Sequence, residues 1–69
     1  MQDKHEEFLD RWAACMERVN SLPKEEREKI AADTNRLANK LYKHGVTSAA
    51  CFVVIAESYF EEKEKQATN

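Results

Sequence analysis

One glycine and one proline in 69 residues are too few for a disordered or repeat-bearing chain and suit a helical globular one. Charge of one sign is also missing. Thirteen acidic and eleven basic side chains give a net charge of −2, so no global field steers the chain toward nucleic acid or an anionic membrane. The longest strictly apolar run, Ala49 to Ala56, falls far short of the roughly 20 residues that cross a bilayer. No membrane partner is expected. The opening stretch MQDKHEEFLD has no basic segment followed by an apolar one, as a secretory leader would, and the expected location is cytoplasmic.

Cysteine is scarce too. Cys15 and Cys51 stand far apart in no CxxC arrangement, and they are expected to be small apolar core residues rather than a disulfide. Together with His5 and His44 they supply enough nitrogen and sulfur for a zinc site, but no two of them sit at metal-motif spacing. No metal is expected. The chain has no glycine-rich phosphate cradle, no nucleophile elbow and no base beside either thiol. Glu57 is the one carboxylate inside the apolar run, and it reads as the solvent boundary of a helix rather than as an acid or base. Neither a catalytic residue nor a cofactor is expected, and the chain is not read as an enzyme.

What the sequence does have is 42% hydrophobic and 35% charged residues, the profile of a helical globular chain. The expectation is a single all-α domain over 1–69, with helices at about 3–20, 23–44 and 47–65 and a frayed tail at 66–69. In the first, Phe8, Leu9, Trp12, Cys15, Met16 and Val19 recur at three and four and line one face, which places Trp12 in the core. Asp3 with Glu6 resembles a capping box, and Glu7 with Arg11 an i,i+4 pair.

Pro23 belongs in the first turn of the second helix, with Ser21 or Leu22 as its cap. That helix has a thin apolar stripe of Ile30, Leu37, Leu41 and Tyr42, and Gly45 ends it in a left-handed conformation. Thr47 or Ser48 should cap the third, and Glu61 with Lys65 should pair within it. CFVVI suits a strand by composition, but no second strand exists to pair with it, so helix is preferred.

The third helix poses the question of function. Val46, Ala49, Phe52, Val53, Ala56 and Phe60 make its core face. Ala50, Cys51, Val54, Ile55, Ser58 and Tyr59 then form a further stripe, where a solvent-facing helix would carry charge, and no Lys or Arg interrupts 44–62. A chain this short supports only a marginal core by itself. The stripe is therefore read as a self-association seam of a homodimeric helical bundle.

Arg36, Lys40 and Lys43 at i, i+4 and i+7, with Tyr42 at their flank, are the candidate contact for a partner protein. The expected function is a small regulator, adaptor or inhibitor that occludes another protein's surface. A dimeric helix-turn-helix-like DNA reader is the alternative, because LANKLYKHGVTSAACFVVI sets a glycine turn between two helices. Its would-be reading face offers base edges only Ser48 among apolar neighbours, which disfavours nucleic acid.

Overall fold

The computed structural model describes residues 4–67, and Asp3 of the expected capping box lies outside them. Its elements are α1 (Lys4–Asn20), α2 (Lys24–Leu41), a single 3-10 turn (Tyr42–His44) and α3 (Ser48–Ala67). There is no strand among the described residues. CFVVI is helical, and α3 continues through Gln66 and Ala67, past the expected onset of fraying.

Local chemistry explains the breaks. At the end of α1 the Ser21 and Leu22 amides donate to the Arg18 and Val19 carbonyls, while the Ser21 hydroxyl donates to the Glu17 carbonyl at 3.2 Å. Both residues thus close the first helix, and neither caps the second. Pro23 is the cap instead, with φ −57° and ψ 154°. Its ring presets that φ, and its carbonyl accepts the Glu26 and Arg27 amides at 3.1 and 3.0 Å, so no side-chain oxygen is required.

α2 stops being α-helical at Leu41, three residues before the expected end. Tyr42, the last residue of the expected stripe, stands in the tighter turn and is 80% exposed. Gly45 then takes φ 75°, and its amide donates to the Tyr42 carbonyl. Thr47 caps α3, its hydroxyl accepting the Ala50 amide at 3.1 Å.

α3 is the element against which both others pack. Arg11 meets Glu57 and Arg18 meets Glu64, so α1 advances in step with α3 and lies parallel to it. Glu26 meets Tyr59 and Lys63, while Asp33, Leu37 and Lys40 border Ile55, so α2 runs antiparallel. Companions on two sides account for much of the apolar circumference of α3.

The core consists of Cys15, Val19, Ile30, Val53, Ala56 and Phe60, supported by Phe8, Leu22, Phe52, Ile55 and Tyr59. Ala56 is wholly enclosed, because only a methyl fits where neighbouring helices come close. Trp12 is not enclosed as the periodicity predicts: it is 36% exposed, and Leu9 beside it is more open still. Val46 lies before the start of α3 and is likewise exposed. No helix among the described residues is long and apolar enough to cross a membrane.

Candidate interaction surface

Some members of the two sets of residues singled out in the sequence meet: Arg36 and Lys40 come up against Ile55, with Ser58 and Tyr59 next along. Asp33, Arg36, Leu37 and Lys40 of α2 and Ile55 of α3 line one shallow groove. A second, continuous with it through Asp33 and Ile55, adds Lys29, Ile30, Ser58, Tyr59 and Glu62. Both are open depressions without the enclosure that a small-molecule site needs.

Within the expected self-association set, the six residues have different fates. Cys51 is 1% exposed within a single chain, so it contributes no outward surface. Ile55 and Tyr59 are half-buried against α2, and Ala50 is also half-buried. Val54 and Ser58 point outward, Val54 with 52% of its surface exposed. The unpartnered stripe is therefore Ala50, Val54 and Ser58, bordered by Ile55 and Tyr59.

Among the cations, Arg36 and Lys40 stay on α2 and border the groove. Arg36 is held by Asp33 at 3.4 Å. Lys43 and Tyr42 belong to the 3-10 turn that follows α2. All four residues are exposed.

The ends of this face differ electrically. Residues 34–56 contain Arg36, Lys40 and Lys43 and no acid, whereas 57–67 contain Glu57, Glu61, Glu62 and Glu64 against Lys63 and Lys65. Because α2 is antiparallel to α3, its cationic second half lies beside the uncharged first half of α3. The layer formed by the two helices is thus basic at one end and acidic at the other.

Ion pairs brace its flanks. Glu26 accepts the Tyr59 hydroxyl and the Lys63 ammonium, the latter at 2.6 Å, and these bonds, Lys63 first, hold its carboxyl below the usual carboxylate range. Glu57 lies at the solvent boundary, as its place in the sequence suggests, but its partner Arg11 was not foreseen. The expected Glu7–Arg11 pairing is displaced by it. The available signal was the shared seven-residue step of Arg11 to Arg18 and Glu57 to Glu64.

Burial, and after it the Glu57 carboxylate, pushes the Cys15 thiol up rather than toward the reactive thiolate. No three His, Cys, Asp or Glu side chains converge to hold a metal among the described residues. The chain matches no family model, and no curated protein or solved structure is significantly similar to it.

Proposed function

We propose that this chain is a small non-enzymatic binding protein, a regulator, adaptor or inhibitor, which pairs with itself along α3 and occludes the surface of another protein with the cationic end of α2. One observation carries the reading. Val54 stands half-exposed on α3 beside Ile55 in sequence, and Ile55 borders the groove that Arg36 and Lys40 line.

An exposed aliphatic residue with charged side chains on a neighbouring helix fits the general anatomy of a protein contact, apolar in the middle and polar at the rim. Of the exposed residues in the first half of α3, Ser48 and Val54, only Ser48 offers a donor to a base edge or phosphate, which favours protein over DNA as the target.

The test is capture of a partner by the purified protein, compared with the Arg36→Glu, Lys40→Glu double variant. Both side chains are exposed, so circular dichroism should be unchanged. Loss of a specific, stoichiometric partner supports the reading. Retention of that partner by the folded variant overturns the assignment of these residues, and salt-sensitive retention on duplex DNA in place of protein capture overturns the choice of target.

A further inference from the structure

We propose that the second copy lies antiparallel across α3, with Val54 on the twofold axis and Ala50 of each copy against Ser58 of the other. This rests on the self-association reading above and adds its geometry. The stripe is symmetric about Val54, with a small residue one turn to either side. A twofold contact places the same patch on itself, so a self-complementary stripe is what it requires.

Electrostatics select the antiparallel sense. In a parallel pairing the basic ends of the two layers would lie at the same level, and so would the acidic ends. The antiparallel arrangement instead brings the basic end of each α2/α3 layer to the acidic end of the other. Lys40, Lys43, Glu61 and Glu62 are exposed. At the rim of an interface such charges set orientation and encounter rate while staying partly solvated, so they remain open to a second protein.

Disulfide trapping tests the geometry, because a bond forms only between β-carbons about 4 Å apart. Under mild oxidation Val54→Cys should cross-link to itself in more than half of the chains. Ala50→Cys and Ser58→Cys should each cross-link poorly alone and well when mixed. The native thiols, 5% and 1% exposed, provide the background. Lys40→Glu with Lys43→Glu in one chain, or Glu61→Lys with Glu62→Lys in another, should weaken self-association about tenfold at low salt. Mixing the two chains should restore it.

A dimer by sedimentation whose Val54→Cys form does not cross-link, or whose Ala50→Cys form cross-links to itself, overturns the antiparallel geometry while leaving self-association standing. A monomer throughout the accessible concentration range overturns both.

Discussion

Arg11 and Glu57 form a two-pronged ion pair between α1 and α3, Nε to Oε2 at 3.0 Å and Nη2 to Oε1 at 2.5 Å. It joins residues 46 positions apart and sets how far α1 has slid along its neighbour. The fork of a guanidinium fits a carboxylate in one geometry. One step further along, Arg18 repeats the arrangement with Glu64 at 3.8 Å and lays its guanidinium 4.0 Å from the centre of the Phe60 ring.

Acid should weaken the fold through two carboxylates. The Arg11 hydrogen bond holds Glu57 below the usual carboxylate range, and Lys63 then Tyr59 do the same for Glu26. A carboxyl lowered on folding adds stability above its unfolded value of about 4.3, and that stability is lost as pH falls through the lowered folded value. Urea midpoints should be level from pH 8 to about 5 and fall below that. The fall should be shallower in a Glu26→Gln, Glu57→Gln chain and in high salt, since both groups are solvent-accessible. A variant as acid-sensitive as the parent would contradict this.

Both thiols should be inert in the folded protein. Cys15 and Cys51 are buried, and Cys15 is further disfavoured as a thiolate by burial and by Glu57. Iodoacetamide labelling followed by mass spectrometry should show each reacting at least about tenfold slower than in urea. Rapid labelling of Cys51 in the native state would contradict its burial.

Thr34 should be improvable. It is buried, and its hydroxyl has no hydrogen-bond partner. Replacing an unsatisfied buried hydroxyl with a methyl of the same shape removes a desolvation cost, so Thr34→Val should stabilise by about 1 kcal/mol. Ile30→Ala, at a 1% exposed core position, should do the reverse by about 2–5 kcal/mol. Thermal unfolding of the two variants checks the contrast, and a destabilised Thr34→Val would show that the hydroxyl is used.

Gly45 isolates backbone strain from crowding. Its φ is 75°, yet a β-carbon there would meet nothing within 4 Å. Gly45→Ala should therefore cost about 1–2 kcal/mol by conformation alone, and Gly45→Asn less, because asparagine enters the left-handed region more readily. Equal losses in denaturant titrations would point to another cause.

The three helices and their separators were legible because Pro23, Gly45 and Thr47 each carry their own stereochemical instruction. Side-chain periodicity was a poorer guide to what lies inside. Trp12 and Tyr42 fall on apolar stripes and yet stand exposed, since period locates a face but not how far a neighbouring helix extends along it. Cys51 shows the opposite: it is 1% exposed although helical phase places it on the further stripe. On the candidate surface, the residue types were readable, but their meeting in one groove depends on the antiparallel sense of α2 and α3, which periodicity does not carry.

Sedimentation equilibrium on the purified chain and on Val54→Asp addresses the exposed face of α3 most directly. The parent is expected at about twice the chain mass of 8.0 kDa at micromolar concentration. The variant, with an unchanged helical spectrum, is expected at the single-chain mass, because a carboxylate at the centre of the seam would be buried without a partner. A parent that stays at 8.0 kDa up to hundreds of micromolar, or a variant that associates as strongly as the parent, would contradict the account.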